Sequence, residues 1–353
     1  MIRKVMVAVV VAVASSVLAF STPAVAASNL ETINPTGGTS PSDGLKVEVA
    51  FGQIQVNRDG HGQFFGPNDP PSPEDSERLS NYFVVAFDSV LTVRSHTFVG
   101  DSYDFGGQAW DSFTSEATYT DSDRSGVIIN HLVSGSGTSL VALDVTVTYT
   151  YPNDYLNVRA DLTLGSDWSS SPHKIYWYTD AFFDGSDAGP QFTGVNSSGQ
   201  RLAGVTVPDH TAVQAFRQTA GQNLNWWAGQ YSCPYTTAPA TGDCDPSNLG
   251  RFAADYLDFP NAVSLIDNDN GFGISSPQAS GNESINFDLV FTTCASTGSN
   301  LPVEVCPVTP ALPDTGTPRP EGLIVSLTLI AAGVTFLGFR TLGPKPNRRR
   351  TWR

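Results

Sequence analysis

Two long runs of β-branched and aromatic residues, 140–151 and 155–164, stand on either side of Pro152-Asn153-Asp154. Such runs around Pro, Asn and Asp read as a β-hairpin: branched side chains suit a pleated surface, and these three residues suit a tight turn. Further strand-like segments recur at 45–56, 82–93, 126–132, 174–183, 211–216, 262–266 and 284–292, with turn residues about every ten positions. No stretch carries sustained helical periodicity with capping residues. One all-β body is therefore expected over residues 44–294, a large antiparallel β-sandwich. Composition agrees. With 15% charged residues, Gly 32 and Pro 24, the chain is no coiled coil, helical array or multi-span membrane protein. Its 10% aromatic content gives it apolar surface to bury, which excludes disorder throughout.

Both ends are expected to act as addresses. Arg3 and Lys4 precede an uncharged run at 5–18, and Ala24-Val25-Ala26 follows. A basic start, a short apolar core and a small-x-small site define a secretory signal peptide over 1–26, with a run shorter than a bilayer requires. Residues 27–43 read as a flexible linker. At the other end an apolar run at 322–339 is long enough to span a membrane, and Arg340, Lys345, Arg348, Arg349, Arg350 and Arg353 behind it would remain cytoplasmic.

Immediately before that run stands Leu312-Pro313-Asp314-Thr315-Gly316. The pentapeptide, the apolar span and the basic tail together resemble the sorting signal of Gram-positive LPxTG cell-wall-anchored surface proteins, those of actinobacteria among them. The resemblance implies that a sortase cysteine attacks the Thr315 carbonyl, releases residues 316–353, and passes the acyl group to an amine of a peptidoglycan precursor. The residue types suit that chemistry. Pro313 sets its own φ and biases Leu312 toward extended backbone, while Gly316 leaves the neighbouring carbonyl open to attack. The expected product is secreted and wall-anchored, after passing transiently through the plasma membrane. The alternative is a single-pass protein held permanently by 322–339.

Residues 27–315 hold ten basic against 33 acidic residues, a net charge of −23. A surface this anionic repels nucleic acid and favours divalent cations or basic partners. Cysteine use fits export: Cys233, Cys244, Cys294 and Cys306 show no zinc spacing and read as two disulfides, with local pairing of 233 to 244 and 294 to 306 favoured among three arrangements. Residues 295–315 read as a wall-proximal linker. From Cys306 to Thr315 the chain reaches roughly 30 Å, so the body is expected close to its attachment point.

Within the body, Asp180, Asp184 and Asp187 follow the aromatic strand Tyr176-Trp177-Tyr178. Their first reading is a turn. Three carboxylates in eight positions also suit a Ca²⁺ site, or an acid/base pair. Asp267-Asn268-Asp269-Asn270-Gly271 resembles the opening of an EF-hand loop, but its glycine comes one position early and Gln278 stands where Glu is expected, so a turn is again preferred. Trp226-Trp227, with Tyr231 and Tyr235, suits a sugar-stacking platform, although adjacent strand residues face opposite ways and one indole belongs to the core. The five histidines have no catalytic or metal spacing, and no nucleophile elbow or phosphate loop is present. The pattern over 140–189 resembles the supersandwich of galactose-mutarotase-like domains. The expected function is a non-catalytic surface protein, structural or binding a carbohydrate or a partner protein. The alternative is a secreted carbohydrate-active enzyme using paired carboxylates.

Overall fold

The computed structural model describes residues 30–64, 81–87, 91–94, 108–182, 186, 188–206, 212–231, 259, 261–263 and 269–293. All lie in the first of the chain's two units, residues 1–307. The signal segment, all four cysteines, the sorting motif and the apolar run at 322–339 fall outside the described residues.

Three sheets make up the body. A small one runs β1 (Glu31–Ile33), β2 (Lys46–Ala50), β3 (Gln53–Arg58), β4 (His61–Gly62). The chain then forms β5 (Asn81–Phe87), β6 (Leu91–Arg94), β7 (Gln108–Ala109), β8 (Ser112–Thr120), β9 (Ser125–Ser134), β10 (Val141–Tyr149) and β11 (Tyr155–Leu164). After these come β12 (His173–Asp180), β13 (Gln191–Val195), β14 (Arg201–Thr206), β15 (Val213–Gln218), β16 (Asn225–Gln230), β17 (Ala262–Val263), β18 (Asn270–Ser275) and β19 (Glu283–Thr292). An eight-stranded sheet has the order β13-β14-β15-β19-β11-β10-β9-β8, and a seven-stranded sheet the order β17-β16-β18-β12-β5-β6-β7. Pairing is antiparallel except at β16–β17 and β6–β7. No α-helix occurs among the described residues; one 3-10 turn spans Gly137–Ser139. The described residues form an all-β body, predominantly antiparallel, as the sequence pattern predicts.

Alternation decides which faces meet. On β10, Val141, Leu143, Val145, Val147 and Tyr149 are buried while the residues between them are half-buried. Leu156, Val158, Ala160 and Leu162 of β11 continue the same face, joined by the Pro152-Asn153-Asp154 turn with Tyr149 opposite Leu156. The two large sheets share one core: the Trp177 ring of β12 lies 5.4 Å from Phe287 of β19, and Phe83 of β5 lies 6.5 Å from it. Burying a large side chain contributes about 1.5–3 kcal/mol, so this shared layer is the main source of stability.

Three sequence expectations are corrected. Residues 45–56 are not one strand: they fold into the hairpin β2–β3, turning at Phe51 (φ +55) and Gly52 (φ +73). Phe51 tolerates that backbone because its ring packs on Phe113 at 4.0 Å between centroids. Residues 82–93 likewise split into β5 and β6. The stretch read as a linker, 27–43, contains β1, paired with β2, and its loop is held by Asn34, whose Nδ2 donates to Asp43 O (2.8 Å) and Leu45 O (2.9 Å). The body thus begins by Glu31.

Candidate functional site

The two acidic turns singled out in the sequence come from strands that are neighbours. β12 ends at Asp180 and β18 begins at Asn270, antiparallel, so that Asp180 pairs with Gly271 and the Ala181 N–H donates to Asn270 O (2.8 Å). The Asn270 side chain accepts from Gln191 Nε2 and donates to Gly189 O. The Tyr231 N–H donates to Asp269 O (2.6 Å). Asp180 is buried, 5% exposed. Asp184, Asp187 and Asp267 lie outside the described residues. No group of three His, Cys, Asp or Glu gathers to hold a metal among the described residues.

Beside this corner lies a layer of buried amides that the sequence pattern hides. Gln214 Nε2 donates to Gln63 O, the Phe182 N–H reaches the same carbonyl (3.1 Å), and Gln55 Oε1 accepts from the Val56, Gln63 and Phe64 N–H groups at 2.9–3.2 Å. In an alternating strand such as Gln53-Ile54-Gln55-Val56 the polar side reads as solvent-facing. Here Gln53 and Gln55 are fully buried. The detectable signal is the choice of neutral amides over charges on that side.

Trp226 and Trp227 point to opposite faces of the seven-stranded sheet. Trp226 joins the core between the sheets. Trp227 sits on the other face in an aromatic layer with Tyr178 (5.8 Å) and Phe259 (6.4 Å, stacked). Tyr231 stacks on Tyr178 at 5.5 Å, and the Tyr178 hydroxyl donates to Tyr231 O (2.7 Å). Trp226 is 6% and Trp227 0% exposed. The expected sugar-stacking platform is therefore corrected: packing closes both indoles, leaving neither face open. Tyr235 is outside the described residues.

An open concavity of about 340 Å³ lies where the β3–β4 hairpin, the β10–β11 turn and the end of β19 converge. Its charged groups come from strand ends. Asp59 (φ +52) and Gly60 (φ +86) form the two-residue turn after β3, a left-handed pair that matches strand twist. Arg58 Nη1 donates to Thr292 O (2.7 Å), and its Nη2 lies 3.4 Å from Asp59 Oδ2. Asp59 Oδ1 is shielded from solvent with no hydrogen-bond partner among the described residues. The Asp154 backbone carbonyl accepts from the Phe291 N–H (2.7 Å), placing its side chain at the concavity. Behind it, burial pushes the Tyr149 phenol up to about 12. Asp43 is held below the usual carboxylate range: burial opposes this, but hydrogen bonds from Thr39 and Ser40 outweigh it.

On the outer face of the eight-stranded sheet, Asp144 and Asp161 stand directly opposite one another. Like charges so placed repel. His131 Nδ1 meets Asp144 Oδ1 at 2.8 Å, while Arg159 Nη2 (2.8 Å) and the Ser284 hydroxyl (2.7 Å) donate to Asp161 Oδ1. Each carboxylate therefore has its own donors.

No protein-family model matches this chain, and no curated protein matches it. Among solved structures, a bacterial glucoamylase complexed with acarbose is similar at 10% identity and a TM-score of 0.45, with 75% of this chain and 32% of that chain covered. The chain spans about a third of that structure's length.

Proposed function

We propose that this chain is a sortase substrate: an exported protein, cut between Thr315 and Gly316 and joined through Thr315 to peptidoglycan, whose all-β body serves as a non-catalytic binding or structural module at a Gram-positive surface. One observation carries the reading. Leu312-Pro313-Asp314-Thr315-Gly316, an apolar span and a basic tail occur together and in that order, behind a chain that opens with a basic, then apolar, then small-residue segment. The strongly acidic composition of residues 27–315 suits a solvated envelope position facing cations and basic partners. A seven-stranded sheet facing an eight-stranded one is compatible with the finer supersandwich reading.

The test is the mass of the protein released from purified walls by muramidase. A chain ending at Thr315 and carrying a peptidoglycan stem is the expected product. A chain that retains Arg353 overturns the reading and leaves a single-pass membrane protein.

A further inference from the structure

The concavity between the β3–β4 hairpin and the β10–β11 turn has the makings of a ligand site. Its volume, about 340 Å³, falls at the lower end of the range for small-molecule sites, enough for one sugar-sized ring but not an extended chain. Among its charged groups acceptors outnumber donors, and Ser40, Asn153 and Thr293 can do either. Arg58 is drawn to the Thr292 carbonyl and to Asp59, so its charge is largely committed within the protein. Asp59, its side chain 35% exposed with Oδ1 enclosed, offers Oδ2 to the concavity, and the Asp154 side chain, also in the lining, makes no hydrogen bond or ion pair among the described residues. Carboxylate oxygens open to the concavity can accept from a ligand that brings donors, as charge-assisted hydrogen bonds. One guanidinium against two carboxylates leaves the lining net negative, which disfavours an anion. The rings of Pro41 and Pro152 with Phe291 add apolar surface suited to the C–H face of a ring.

We propose that this concavity is a monosaccharide subsite for a pyranose that is neutral or carries an ammonium group, held through its donors by Asp59 and Asp154. The inference deepens the reading of the body as a ligand-binding wall protein and rests on it. It also moves the carbohydrate contact away from Trp226 and Trp227, whose rings are enclosed.

Three probes of one ring shape test it: glucose, glucosamine and glucuronate, titrated by calorimetry and saturation-transfer NMR against the full-length protein in detergent. The expected order is glucosamine tightest, glucose next, glucuronate undetectable. Asp154→Asn keeps the side-chain shape and breaks no bond within the protein. It is expected to weaken glucosamine by about tenfold, the usual worth of a hydrogen bond to a charged group, and to narrow the gap between glucosamine and glucuronate. Asp59→Asn, checked by circular dichroism for an unchanged fold, is expected to do the same. Glucuronate binding as well as glucosamine, or none of the three binding, overturns the subsite, as does full affinity in Asp154→Asn. A protein joined to the wall through Thr315 that binds no sugar sinks the subsite alone. A protein that binds glucosamine yet retains Arg353 sinks the anchoring alone.

Discussion

The side chain of Asn81 takes both backbone groups of Ile54: Nδ2 donates to Ile54 O at 2.7 Å, and Oδ1 accepts from the Ile54 N–H at 2.9 Å. Ile54 faces Val49 within the small sheet, and its outward backbone groups would otherwise meet the first residue of β5 unpaired. One amide thus imitates a strand and joins the small sheet to the seven-stranded one. Asn81→Leu keeps the volume but strands two buried backbone groups, each worth about 1–3 kcal/mol when left unpaired. A loss of about 2–5 kcal/mol is expected in urea unfolding, with the slope unchanged. A loss below about 0.5 kcal/mol would mean the contact is incidental.

A second cross-sheet clamp runs from Leu45 to Tyr149. The Leu45 N–H donates to the Tyr149 hydroxyl at 2.9 Å, across 104 residues of sequence. Tyr149→Phe removes the acceptor from a buried site and is expected to destabilise by about 1–3 kcal/mol. Thermal melts of the two proteins check this, and an unchanged midpoint would show that another group takes the N–H.

Gly273 is required by close approach. It lies between Tyr178 on β12 and Trp227 on β16, and a Cβ there would sit 2.5 Å from Tyr178 Cδ2 and 2.8 Å from the Trp177 carbonyl oxygen. The carbonyl belongs to a paired strand and cannot move aside. Gly273→Ala is expected to cost about 1–3 kcal/mol through overpacking, with a change in near-UV circular dichroism as the aromatic layer shifts. Tolerance of Ala with an unaltered aromatic spectrum would contradict the packing described.

His131 makes stability depend on pH. Its hydrogen bond to Asp144 raises its pKa against the opposing effect of partial burial, with Glu116 adding attraction from β8. The folded pKa is thus above the unfolded one. The stabilisation is fully present below about pH 6.5, the unfolded value, and fades as pH rises through the folded pKa. His131→Gln is expected to lower the melting temperature at about pH 5.5 and to match the parent protein above about pH 8. An equal deficit at both values would assign the effect to packing.

The hairpin from Val141 to Leu164 was legible because everything that specifies it is local: alternation, β-branched residues and a Pro-Asn-Asp turn lie within one short stretch. The β2–β3 turn was not legible, because Phe51 is no turn former and holds a left-handed backbone through a ring, Phe113, that lies 62 positions away. Alternation alone sends Trp226 and Trp227 to opposite faces. The core between the sheets closes Trp226, and only the packing of Tyr178 and Phe259 on the far face closes Trp227 as well. Gln55, Asn81 and Gln214 carry the same lesson. Sequence states that a side chain is polar, whereas its burial depends on which distant backbone groups arrive unpaired beside it. The meeting of Arg58, Asp59 and Asp154 at one concavity is of that kind, since residues some 95 positions apart converge only when the small sheet packs beside the eight-stranded one.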